Sequence, residues 1–299
     1  MNATDTSPSS APAAEGAFDT VGVVGCGLMG SGIVEVVARS GRDVVVREVS
    51  QELLHAGLGK VRSSLDRGLA REKISAADHA AALDRIRGTT DMDDLAGCDL
   101  VIEAAVENLD TKRDIFRALD GVVPDTTILA SNTSSISITR LGAATSRPDK
   151  VIGAHFFNPV PVMPLLEIVM GVVTSDLTLA ALRAFGEALG KTVVVARRDN
   201  PGFIVNLLFV PYGLDAIRGL EQGVATKEDF DAAMRLGMNH PMGPFELMDF
   251  VGLDTMLFIA DAMYEETKEN RYAAPPLLRR LVAAGHLGRK SGRGFYNYG

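Results

Sequence analysis

Along the first two-thirds of the chain, short apolar runs alternate with stretches of helical period. Thr20 to Gly25 reads as a buried strand, and Asp43 to Arg47, carrying Val44-Val45-Val46, reads as a second. Between them lie a glycine-rich turn and a helical stretch that ends near Ser40. A long helix is predicted from Ser50, which offers an N-cap. Within it Leu54, Leu58, Val61, Leu65 and Leu69 form one apolar face, while Lys60, Ser64, Arg67 and Arg71 fall on another. Further strands are predicted at Leu100 to Ala104, Thr127 to Ala130, Val151 to His155, Leu165 to Val169 and Val193 to Ala196. Strands alternating with helices imply an α/β fold with a doubly wound, mostly parallel sheet covered on both faces.

After Asn200-Pro201-Gly202 the alternation stops. From Phe203 onward the pattern is one of helices joined by short Gly/Pro turns. An all-α domain is therefore expected over residues 201–299, following an α/β domain over 18–200. Residues 1–17 are small, polar and proline-containing, and are expected to form a disordered tail.

Composition narrows the possibilities. A chain of 299 residues is long for one core, in keeping with two domains. The net charge of −8 lacks the basic stripe of a nucleic-acid binder, so an anionic ligand has to be met by local positive groups. No apolar run reaches the ~18 residues of a membrane span. Residues 1–17 hold no Lys or Arg, which excludes the charged region of a secretory signal and an arginine-rich transit peptide. The two cysteines, Cys26 and Cys98, have neither metal-type spacing nor a disulfide framework. A reducing compartment follows, the cytoplasm is expected, and no metal site is expected.

The turn Gly25-Cys26-Gly27-Leu28-Met29-Gly30 is G-x-G-x-x-G. Alone it is a weak signal, but here it follows a predicted strand and opens a predicted helix. Gly25 permits the tight turn, Gly27 the close approach of backbone to a pyrophosphate, and Gly30 the close packing of helix on strand. The helix N-terminus offers unpaired N–H groups and a positive dipole to phosphates. Glu48 ends the second strand, about 20 residues on, where a carboxylate bonds the adenosine ribose and repels a 2′-phosphate. NAD is therefore expected rather than NADP. Arg47 argues the other way, since an arginine beside that acid can accept a 2′-phosphate.

Three polar features stand where strands end or apolar runs break. Ser131-Asn132-Thr133-Ser134-Ser135 follows one strand, His155 closes another and Glu167 interrupts Leu165 to Val169. Ligands of open α/β sheets bind beyond the carboxyl ends of strands. A hydroxyl surrenders hydride only as its proton leaves, so the site needs a base that titrates near neutrality, which suits His155. Glu167 can orient the imidazolium, and Ser134 can donate to the developing oxyanion. His155 and Glu167 each have a structural alternative: a core histidine with its partners for the first, an edge-strand charge for the second. Asn206, inside the apolar stretch Phe203 to Val210, needs a hydrogen-bond partner, either backbone across a helix interface or a ligand. The basic face of the long helix is either a phosphate site or a solvated surface.

Taken together, these motifs resemble the 3-hydroxyacyl-CoA dehydrogenase family, over a match running from about Val21 to Tyr298. The segments that carry it are Gly25 to Gly32, Val106-Glu107-Asn108-Leu109 with Lys112, Ser131 to Ser135, and His155 to Met163. Pro201 to Asn206, Met242-Gly243-Pro244-Phe245-Glu246 and Gly292-Arg293-Gly294-Phe295-Tyr296 complete it. The resemblance implies a Rossmann-type domain followed by a helical domain, and a homodimer through the latter. It implies that His155 is the base, Glu167 its carboxylate partner, and Ser134 and Asn206 the groups that bind the substrate oxygen. Glu107, Lys112, Ser134, Asn158 and Lys290 match positions that contact NAD in the family, beside Gly25, Gly27, Leu28, Met29, Gly30 and Glu48. Ser64 and Arg71 fall where the family contacts coenzyme A, with Arg71 replacing a lysine. The tail, Arg47 and Pro164, which takes a position often held by lysine, are departures. A related hydroxyacid dehydrogenase with a lysine base, and a non-catalytic NAD-binding protein on the same fold, are the competing readings.

Overall fold

Valines and isoleucines at consecutive positions build strands buried on both faces, and β1 (Thr20–Val24) is the first of them, with Val21, Val23 and Val24 all buried. In the computed structural model, which describes residues 18–299, the chain divides into two compact units. One comprises residues 18–133 with Ile138–Arg197, and the other Ser134–Ser137 with Arg198–Gly299. The tail expected over residues 1–17 lies outside the described residues. Ser134–Ser137 falls with the helical unit rather than with the domain over 18–200 in which its sequence position places it. One physical reason is local: the Ser137 hydroxyl donates to Asp199 Oδ2 at 2.6 Å.

The first unit continues through α1 (Leu28–Arg39), β2 (Asp43–Arg47), α2 (Gln51–Ala70), α3 (Ala76–Asp84), β3 (Ile86–Thr89), β4 (Leu100–Glu103) and α4 (Leu109–Val122). It is completed by β5 (Ile128–Ser131), α5 (Ile138–Gly142), β6 (Val151–Phe156), β7 (Leu165–Met170), α6 (Asp176–Ala188) and β8 (Thr192–Ala196). The eight strands form one sheet in the order β3-β2-β1-β4-β5-β6-β7-β8, parallel except for the antiparallel pair β6–β7. Residues 157–164 are too few to carry a crossover helix, so β7 has to return antiparallel to β6. β3 escapes the hydropathy pattern because Arg87 and Gly88 are exposed on this edge strand. The strand order turns at β1 and β4, the switch point beside which open sheets bind ligands.

The long helix is as expected. Ser50 caps α2 by accepting the Leu53 N–H, and Leu54, Val61 and Leu65 are buried while Lys60, Arg67 and Arg71 are exposed. In the second unit, α7 (Val205–Glu221), α8 (Lys227–Met238), α9 (Pro244–Val251), α10 (Leu253–Thr267) and α11 (Pro276–Ala283) surround a core that includes Val210, Leu214, Ile217, Phe245, Met248 and Met256. Two buried aspartates organise its end. Asp231 accepts the N–H groups of Phe245 and Glu246 in the first turn of α9 and the Tyr296 hydroxyl. Asp249 accepts the N–H groups of Phe295 and Tyr296 and the Tyr298 hydroxyl. Burial, then the Asp249 charge, pushes the Tyr298 phenol up to about 12. The M-G-P-F-E and G-R-G-F-Y segments are thus joined by carboxylate caps.

Candidate active site

The glycine turn is shaped for a phosphate. Gly25 has φ +92°, and a side chain at Gly30 would meet the Gly25 carbonyl at 1.9 Å, so neither position tolerates a Cβ. A Cβ at Gly27 would have nothing within 4 Å, so the exposed backbone there faces open space. α1 begins at Leu28 with no side-chain cap and no acidic residue in its first turn. Its N–H groups and dipole are therefore left for an anion. Leu28 is exposed and Met29 half-buried on the same turn.

Glu48 is held beside this turn. Its Oε1 accepts the Cys26 N–H at 2.6 Å and its Oε2 the Val49 N–H at 3.1 Å. Burial, reinforced by Glu48 and opposed by Lys60, pushes the Cys26 thiol up to about 12, so the thiol is a packing group within the turn. Arg47 is half-buried, and its Nε makes no hydrogen bond within the described residues. Turn, bare helix end and fixed acid fit NAD, whose pyrophosphate and adenosine ribose they would hold; bound NAD supplies the acceptor for a hydride.

On the far side of the sheet, the antiparallel register sets His155 directly opposite Glu167. The imidazole Nδ1 lies 2.7 Å from Glu167 Oε2, with the carboxylate fully buried and the imidazole nearly so. The Phe157 ring packs 4.5 Å from the imidazole, centroid to centroid. A buried carboxylate on Nδ1 fixes the ring and its tautomer. Asn158 follows on an exposed loop, its bond to Pro159 cis. Ser134 is half-buried in the short segment belonging to the second unit, and Asn206 is buried in the first turn of α7. Lys290 is exposed, 2.7 Å from Asp254 Oδ2. Ser64 is half-buried on α2, and Arg71, the C-cap residue that follows α2, is exposed.

A further cluster lies at the end of β4. Lys112 is buried, 2.6 Å from Glu103 Oε1 and 3.3 Å from Glu107 Oε2. Ser131 donates to Glu103 Oε2 at 2.6 Å, Thr133 donates to Glu107, and Asn132 accepts the Phe156 N–H at 2.9 Å. Thus Glu107 and Lys112, which the family resemblance already joins in one segment, belong to one network with Glu103. Glu103 was missed, although it carries the same signal as Glu167: a carboxylate in an apolar strand, here Leu100-Val101-Ile102-Glu103.

Oxidising an alcohol by hydride transfer requires a dinucleotide crevice and a group able to take the alcohol's proton, and one sheet here presents both. The first unit is the cofactor-binding half of an NAD-dependent dehydrogenase. Family models sharpen this: residues 20–200 match the 3-hydroxyacyl-CoA dehydrogenase NAD binding domain, and residues 202–298 its C-terminal domain. The chain belongs to the 3-hydroxyacyl-CoA dehydrogenase family. It is 50% identical to 3-hydroxybutyryl-CoA dehydrogenase of Mycobacterium tuberculosis over 94% of this chain and 99% of that protein. It is 46% identical to mitochondrial hydroxyacyl-coenzyme A dehydrogenase of Homo sapiens, over 93% of this chain and 90% of that protein. The crystal structure of (S)-3-hydroxybutyryl-CoA dehydrogenase PaaH1 from Ralstonia eutropha superposes with a TM-score of 0.88 at 48% identity, covering 94% of this chain and 99% of that one.

Proposed function

We propose that this NAD-dependent 3-hydroxyacyl-CoA dehydrogenase acts on short (3S)-3-hydroxyacyl chains such as 3-hydroxybutyryl-CoA, and catalyses the reverse reduction as well. The observation that carries the mechanism is the buried His155–Glu167 pair, 2.7 Å apart. His155 Nε2 takes the proton of the 3-hydroxyl as the hydride leaves C3. The imidazolium so formed faces the Glu167 carboxylate, which stabilises it and holds the ring in place. Ser134 and Asn206 donate to the substrate oxygen. Glu107, Lys112, Asn158 and Lys290 serve the cofactor, and Ser64 and Arg71 the coenzyme A. The short-chain preference rests on the names of the bacterial relatives. A panel of acyl-CoA chain lengths, assayed with NAD and with NADP, tests it. A kcat/KM that rises steadily toward long chains refutes the assignment.

The enzyme is proposed to work as a cytoplasmic homodimer. No helix among the described residues is long and apolar enough to cross a membrane. The helical unit exposes the apolar side chains Leu208, Phe250, Val251 and Phe258, which association would cover. Light scattering at micromolar protein is expected to return twice the chain mass; a monomer mass refutes the dimer.

A further inference from the structure

Hydride transfer changes the charge of the cofactor: the nicotinamide ring is cationic in NAD⁺ and neutral in NADH. Any fixed charge near that ring therefore favours one redox state over the other. A dinucleotide lies across the switch point, here between β1 and β4. The glycine turn and Glu48 take the adenosine half on the β1–β2 side. The nicotinamide half then falls on the β4–β5 side.

That side holds the buried ion pair. Glu103, the last residue of β4, is fully buried and accepts three donors: the Lys112 ammonium at 2.6 Å, the Ala105 N–H at 2.7 Å and the Ser131 hydroxyl at 2.6 Å. Lys112 is only 1% exposed. Its second carboxylate neighbour, Glu107, lies at 3.3 Å and is partly exposed. A buried ion pair is a poor source of stability, because desolvating both ions offsets most of their attraction. Its charges, however, are screened by salt much less than exposed ones.

We propose that Glu103 is a positioning residue that sets the enzyme's preference between NAD⁺ and NADH, by supplying buried negative charge beside Lys112 and Glu107 on the nicotinamide side of the crevice. Without Glu103 the cluster keeps the Lys112–Glu107 pair but loses one negative charge, which disfavours the cationic ring and leaves the neutral ring unaffected. Without Lys112 the carboxylates are uncompensated and favour the cationic ring. The two substitutions must move the cofactor preference in opposite directions. A merely structural role cannot do this, since damage to the pocket weakens both cofactors together.

The test measures Kd for NAD⁺ by calorimetry and for NADH by fluorescence, in wild type, Glu103→Gln and Lys112→Met. Glu103→Gln is expected to weaken NAD⁺ by about three- to tenfold relative to NADH. Lys112→Met is expected to shift the ratio of the two Kd values by a similar factor the other way. A ratio within twofold of wild type in either folded variant overturns the proposal, as does a shift of the same sign in both. Should Glu103→Gln fail to fold, the direction of the Lys112→Met shift decides alone. The readout is binding, so it does not depend on the acyl-chain assignment.

Discussion

Two carboxylates of the same sheet, Glu103 and Glu167, are both fully buried, and each binds one basic partner. Glu103 faces a lysine on the helix that follows its own strand. Glu167 faces a histidine across an antiparallel register. Lysine ordinarily keeps its charge throughout the range in which enzymes work, whereas histidine ordinarily titrates within it. In the mechanism proposed above, the first pair serves as a fixed charge distribution and the second as the pair that takes the alcohol's proton. Similar burial and similar distance serve different ends, and the identity of the base decides which.

That contrast breaks most visibly at the second pair. His155→Ala and Glu167→Gln are each expected to lower kcat by about 10²–10⁴-fold, the usual worth of a positioned base and of the group that stabilises its protonated form. NAD affinity, measured by calorimetry, should stay near wild type in both, because β6 and β7 are separated from β1 and its glycine turn by β4 and β5 in the sheet. A turnover within tenfold of wild type in either variant would remove the distinction between the pairs.

The difference in partners also explains what was legible in the sequence. His155 and Glu167 each break an apolar run, and the match of the surrounding segments to a family pointed to their pairing. The register that sets them face to face comes from a return too short for a crossover, which periodicity does not report. Glu103 breaks an apolar run in the same way but has no histidine to draw attention to it. Its partner lies nine positions on, on the inward side of α4, where a lysine is expected to face solvent. The glycine turn was fully readable, since its demands fall on backbone and on residues that lack side chains. β3 was not, because an edge strand carrying Arg87 and Gly88 has no apolar run to show.

A smaller effect is expected on the adenosine side, where a fixed carboxylate meets a mobile ligand. Glu48, held by the Cys26 and Val49 N–H groups, should make the enzyme prefer NAD to NADP in kcat/KM. Glu48→Ser is expected to narrow that preference by about tenfold, since it removes a like charge from the 2′-phosphate and leaves Arg47 beside it. A wild-type preference for NADP would mean that Arg47 governs this end of the crevice.

The smallest expected effect lies on α2, and it separates exposed charge from buried charge. The whole chain carries −8, so long-range attraction of an anionic acyl-CoA is not available and recognition has to be local. Lys60 and Arg67 on α2 and Arg71 at its C-cap are exposed, and none pairs with a carboxylate among the described residues. Elsewhere exposed arginines do pair, as Arg235 does with Glu246. An unneutralised basic face on an acidic protein is suited to the phosphates of coenzyme A. Arg71→Ala should raise KM for the acyl-CoA by about two- to fivefold at low salt and leave kcat unchanged, as expected when binding is lost equally from ground and transition states. The effect should fade as ionic strength rises, because exposed charges are screened over about 10 Å at 0.1 M salt. The cofactor shift expected of Glu103→Gln should survive the same salt series, since its charges are buried. If KM for the acyl-CoA is unaltered at low salt in both Arg71→Ala and Ser64→Ala, this face is ordinary solvated surface and coenzyme A is held elsewhere.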